Sequence, residues 1–202
     1  MAIESWDKIA DQVSFNLEIG WDRLPEFINI KARMLDFGCG YGRICKQLNQ
    51  CGYLNVVGAD PSSAMIARGH RMYPELSLLH SAEARLPFDD HSFDAIVACA
   101  VFTSIPSSKE REDAAEEIAR VLKPGGILHI SEFSASEERE FMSALGAPMR
   151  YSTPKVLQDL FEGFECVHDE VVGANTMSGK RESSYRAFVR KPVNKAIHAI
   201  SA

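Results

Sequence analysis

The sequence predicts an α/β fold, a doubly wound and mostly parallel sheet with helices on both faces. Three observations carry that reading. From residue 33 onward, short apolar runs alternate with segments of helical periodicity, the pattern of successive βαβ units. The run over residues 93–100 is apolar enough to be covered on both faces, as a central parallel strand must be. A length of 202 residues favours one domain, and seven strand candidates fit within it.

Residues 34–37 read as the first strand, and 42–50 as a helix with Ile44, Cys45 and Leu48 on one face. Residues 54–59 form the second strand, and Ser62 or Ser63 caps a helix running to about Arg71. Residues 76–80 and 93–100 are strands three and four. The 110–122 segment is the clearest helix, with Ala114, Ile118, Val121 and Leu122 on one face, and Lys123-Pro124-Gly125-Gly126 ends it. Residues 127–133 are strand five. Helices over 136–145 and 154–161 follow, the second capped by Thr153. Residues 164–172 and 185–190 are the last two strands, and the polar stretch 173–183 between them reads as a long loop or a hairpin end. The first 32 residues read as a helical cap, with Trp6, Ile9, Val13 and Leu17 on one helix face. Residues 33–192 form the main domain, and 193–202 a frayed tail.

Composition narrows the function. Lys plus Arg number 22 against 28 Asp plus Glu, a net charge of −6. Such a chain lacks the broad cationic surface that nucleic acid demands. The longest wholly apolar run covers residues 95–102, short of the roughly 18 to 20 residues that span a bilayer. The first seven residues carry no signal-peptide pattern. Cysteines 39, 45, 51, 99 and 166 form an odd set without a CxxC pair. They fit a reduced, cytoplasmic setting with no metal site.

The chemistry concentrates in Asp36-Phe37-Gly38-Cys39-Gly40-Tyr41-Gly42-Arg43, a strand entering a glycine turn and a helix. Alternate glycines permit a sharp turn and the close approach of a ligand, and the helix start offers free N–H groups. Asp60 closes the second strand, where a carboxylate accepts both hydroxyls of a ribose. A nucleoside-containing cofactor follows. A dinucleotide fingerprint needs a third glycine where Arg43 stands. Asp36 would repel a pyrophosphate, and it suits a cofactor carrying an amino group and a sulfonium.

On these residues the chain resembles the class I S-adenosylmethionine-dependent methyltransferases, in particular their small single-domain members. Gly58-Ala59-Asp60-Pro61-Ser62, the 86–94 segment and Leu122-Lys123-Pro124-Gly125-Gly126 match further motifs of that family in order. The resemblance implies a Rossmann-like, seven-stranded sheet whose last strand is antiparallel and inserted beside strand six. It also implies S-adenosyl-L-methionine as cofactor. Asp36, Phe37, Gly38, Cys39, Gly40 and Gly42 would hold its methionine end, Asp60 its ribose and Pro61 its adenine, with Ala100 lining the sulfonium end. Family members usually carry an acidic residue after strand three. Here Ser81, Ala82 or Glu83, or backbone groups alone, would meet the adenine.

A small-molecule methyl acceptor is the expected partner. Protein or RNA methylation, or a catalytically silent cofactor-binding regulator, are the alternatives. The catalytic residue is open: Glu132, Thr103, Ser104 and His80 stand at strand ends, whereas His129 reads as a packed histidine. Glu132 reads equally well as a plain surface carboxylate. Trp6, Tyr41, Phe102, Phe133 and Tyr151 are candidate walls for the acceptor.

Overall fold

The computed structural model describes residues 2–82 and 85–193. Seven strands form one sheet in the order β3-β2-β1-β4-β5-β9-β8: β1 (Met34–Phe37), β2 (Val56–Asp60), β3 (Ser77–His80), β4 (Phe93–Cys99), β5 (Leu122–Ser134), β8 (Glu165–Asn175) and β9 (Arg181–Arg190). The first five pair in parallel, and β9 runs antiparallel between β5 and β8. The inserted antiparallel last strand is thus as expected.

Alternation along the strands divides the core in two. Leu35, Ile96 and Leu128 face α5 (Ser108–Val121) and α6 (Pro154–Asp159). Met34, Ala95, Val97 and Ile127 face the other way, onto α2 (Leu24–Phe27), α3 (Arg43–Gln50) and α4 (Ser63–Met72). Both faces being covered, the central strands are mostly apolar, and the polar residues His129, Ser131 and Glu132 of β5 are buried with hydrogen-bond partners. The helix caps are those that the composition favours: Ser62 Oγ accepts from Met65 N–H, Ser107 Oγ from Glu110 N–H and Thr153 Oγ1 from Val156 N–H.

Two expectations are corrected. The helix expected over 136–145 is instead the start of a hairpin, β6 (Arg139–Met142) with β7 (Pro148–Tyr151). Gly146, at φ 85°, turns the chain back, and Ser143 Oγ accepts from Ala147 N–H at 2.9 Å. Burial of Ala147, Met149 and Tyr151 overrides the helix propensity of the acidic stretch before them. At the N-terminus, α1 (Ala2–Ile9) stops a turn after Trp6. Arg68 of α4 donates to the carbonyls of Ala10 and Val13, both at 2.6 Å, so the chain finds its partners outside a helix. Val13 and Leu17 are buried as expected, but from irregular backbone. Of the expected tail only Val193 is described, and 194–202 lie outside the described residues.

Candidate functional site

A cavity of about 410 Å³ opens at the carboxyl ends of β1, β2 and β4, where the strand order reverses on either side of β1. Asp36, Phe37, Gly38, Cys39 and Gly40 line it from the end of β1 and the turn after it, and Asp60 and Pro61 from the end of β2. Ser81 and Ala82 contribute from beyond β3, and Ala100 from beyond β4. The structure therefore brings these sequence-predicted residues to one wall. Gly42 is the exception among those described. It is the left-handed cap of α3, packed under Leu78 and Leu76 rather than on the cavity. Glu83 lies outside the described residues.

Asp36 is 1% exposed, and it accepts from the Cys45 thiol at 3.2 Å and from the Cys45 backbone N–H. Burial pushes its carboxyl up to about 7, against the Cys45 hydrogen bond and the positive charge of Arg43. Asp60 accepts from Gly40 N–H and Ser62 N–H, both at 2.8 Å. Burial still raises it to about 6. Two carboxyls shifted upward on one cavity wall make it the candidate functional site.

The glycines act differently from the expectation of close ligand approach. A Cβ at Gly38 would meet Val101 at 2.7 Å, and one at Gly40 would meet the Phe15 ring at 2.8 Å. Both glycines sit at positive φ, 69° and 55°. The room at Gly40 admits a strap of the N-terminal chain. Phe15 stacks on Tyr41 with centroids 5.4 Å apart, and Phe15, Asn16 and Leu17 line the cavity. Strand residues pin this strap from below. Cys99 donates to Leu17 O at 3.4 Å, Ser131 Oγ to Glu18 O at 2.8 Å, and Gly20 N–H donates to His129 Nε2 at 3.0 Å.

His129 is accordingly a packed histidine. Its Nδ1 lies 2.9 Å from Ala187 O, its ring stacks on Phe188, and burial lowers its pKa to about 4. Glu132 is corrected from a surface carboxylate to a buried one. Its oxygens accept from the N–H groups of Val101, Phe102 and Thr103 at 2.9, 3.1 and 2.8 Å, and from Thr103 Oγ1 at 2.7 Å. It holds the short 3-10 turn Phe102–Ser104 that follows β4. Ala100 enters that turn at φ 59°, a conformation costly for alanine and frequent at functional sites. Of the other polar candidates, Thr103 is spent on Glu132, and His80 lies off the cavity with Nε2 3.1 Å from Pro61 O. Ser104 lines the cavity and donates to Ala100 O at 2.7 Å. Of the aromatic candidates, Trp6 and Phe133 line it, and Tyr41, Phe102 and Tyr151 do not.

The sequence reading missed Arg43, Phe15, Met149 and Met177, all of which line the cavity. A signal existed for Arg43 alone, because a cation in the first turn of a helix opposes the helix dipole. The others arrive from distant chain segments and carry no local pattern.

Residues 35–130 match the family described as a methyltransferase domain. The ubiquinone/menaquinone biosynthesis C-methyltransferase UbiE of Campylobacter jejuni is 26% identical over 152 residues, 69% of this chain and 63% of that protein. A demethylmenaquinone methyltransferase of Beutenbergia cavernae is 32% identical over 137 residues, covering 64% of this chain and 55% of that one. The chain thus spans less than two thirds of the length of these curated relatives. A solved S-adenosylmethionine-dependent methyltransferase from Methanosarcina mazei shares the fold with a TM-score of 0.78 at 23% identity, over 87% of this chain and 100% of that one. At 23% identity this likeness shows the fold, and the match over residues 35–130 is to a methyltransferase domain.

Proposed function

We propose that the chain transfers a methyl group from S-adenosyl-L-methionine to a small-molecule acceptor. The observation that carries this reading is the pair of carboxyls, buried Asp36 and half-buried Asp60, at the ends of adjacent strands on one wall of a mainly apolar cavity. The residues present fit the cofactor. Cys45 gives Asp36 a thiol and a backbone N–H, both neutral donors, so an ammonium would add a charged donor to a buried carboxylate. Each Asp60 oxygen accepts one backbone N–H and keeps capacity for a ribose hydroxyl. Ser81, Ala82 and Pro61 would flank the adenine, and Ala100 the sulfonium end. Residues 1–32 act in this reading as a cap on the site.

When bound, the cofactor supplies an activated methyl on a sulfonium. The chain's task is then to position the two reactants and exclude water. The strap of Phe15 and Leu17 covers the turn after β1, which suits that task. Glu132 and Thr103 serve each other and are assigned no proton transfer. The curated relatives are named for methylation in quinone biosynthesis, and the apolar walls suit an aromatic acceptor of that kind. Among the described residues no helix is long and apolar enough to cross a membrane. Five free thiols suit a reducing, cytoplasmic setting.

Calorimetric titration with S-adenosylmethionine, S-adenosylhomocysteine and NAD tests the reading. Binding of the first two and not of NAD is expected, and justifies an acceptor screen. A folded protein that binds neither adenosyl compound refutes it.

A further inference from the structure

Arg43 is the first residue of α3, and its side chain lines the cavity beside Asp36. The guanidinium side chain is 15% exposed. Nη1 donates to Glu18 Oε1 at 2.9 Å and Gln47 Oε1 at 3.2 Å. Nη2 donates to the Leu17 carbonyl and stands 3.9 Å from the Cys99 sulfur. Nε is buried and has no acceptor among the described residues. A buried N–H without an acceptor is uncommon and unfavourable, and a cation at a helix start is unfavourable again. An anion in the cavity removes both penalties. The Glu18 partner does not supply it to Nε, and at 44% exposure it sits partly in water.

The neighbouring charges decide which anion. Asp36 and Asp60 stand on the same wall, so a multiply charged group such as a phosphate meets repulsion there. A ligand that offers an ammonium to Asp36 and a carboxylate to Arg43 satisfies both side chains at once. Those two groups on one carbon are an α-amino acid. We propose that Arg43 is a cofactor-binding residue that receives the α-carboxylate of the cofactor's amino-acid end, with Asp36 receiving the ammonium. The inference rests on the cofactor reading above. Arg43 then ties the bound cofactor to the strap through Leu17 and Glu18.

The test compares two ligands, S-adenosylhomocysteine and 5′-methylthioadenosine, which keeps the nucleoside and thioether but has no amino-acid end. Each is titrated calorimetrically into the wild type, Arg43→Gln and Arg43→Lys, with folding checked by circular dichroism. Arg43→Gln is expected to weaken S-adenosylhomocysteine by about 10- to 100-fold, the range for a lost charged hydrogen bond, and to leave methylthioadenosine unchanged. Arg43→Lys, which keeps the charge and loses the planar fork, falls between them, and carries the same comparison if the glutamine variant does not fold. An equal loss for both ligands makes Arg43 a clamp for the strap and overturns the assignment, as does no loss for either. A wild type that binds neither ligand refutes the cofactor reading itself, a result distinct from both.

Discussion

Asp36 is held where its charge is least favourable in the absence of a ligand. It is 1% exposed, supported by the neutral donors of Cys45, and burial raises it to about 7. Its neutral isostere therefore separates stability from binding. Asp36→Asn is expected to stabilise the ligand-free protein at pH 8 by about 1 kcal/mol or more, because no buried charge remains, while weakening S-adenosylhomocysteine. Urea unfolding and calorimetry check the two halves, and a variant that loses both stability and affinity contradicts the assignment. Asp60→Ala should cost roughly 1–3 kcal/mol of cofactor affinity. It also leaves Gly40 N–H and Ser62 N–H without their acceptor, so Asp60→Asn is the cleaner comparison; unchanged affinity in both removes the ribose role. Both carboxylates were legible in the sequence, because each closes a strand at the spacing of a nucleotide-binding turn. Arg43 was legible only as a cation at a helix start, since its role depends on Leu17, Glu18 and Cys99, which only the folded chain brings near it.

At the scale of elements, the turn after β4 depends on a carboxylate from the neighbouring strand. Glu132 accepts three backbone N–H groups and one hydroxyl within Val101–Thr103, so the cavity wall at Ala100 and Val101 is set by β5 as much as by β4. Glu132→Ala leaves three buried N–H groups unpaired and is expected to lower stability by roughly 3 kcal/mol or more. A urea midpoint equal to that of the wild type would show that the turn holds itself. The five parallel strands and their helices were legible because apolar runs and caps are local properties. The 136–145 segment was misread because its residues favour a helix locally, while the partner that makes it a strand, β7, owes its place to buried Met149 and Tyr151. The strap was misread for the same kind of reason. A cation on α4, Arg68, takes the carbonyls of Ala10 and Val13 that a longer helix would have used itself.

Over the whole molecule, the buried ionisable groups set an unusual dependence of stability on pH. Burial raises Asp36 to about 7, Glu132 to about 7 and Asp60 to about 6. Each of these carboxyls binds a proton in the folded state at pH values where the unfolded chain has released it. Their contribution is therefore fully present below the unfolded carboxylate range and is lost as pH rises to about 7. His129 has the opposite sign. Burial lowers it to about 4, so the unfolded chain takes up a proton that the folded one refuses, and stability rises with pH until about 6.5. Between pH 6.5 and 8 the unfolded histidine loses only its remaining half proton, and the release from Asp36 and Glu132, both near 7, outweighs it. The melting temperature of the ligand-free protein is thus expected to fall from pH 6.5 to pH 8. Saturating S-adenosylhomocysteine should reduce that fall, because an ammonium against Asp36 favours its charged form. The ligand then stabilises more at pH 8 than at pH 6.5, and its affinity rises with pH by linkage. Thermal melts at the two pH values, with and without ligand, check both statements. A ligand-free melting temperature that is flat or rising over this range contradicts the buried-carboxyl account. A fall that the ligand leaves untouched places its ammonium elsewhere than at Asp36.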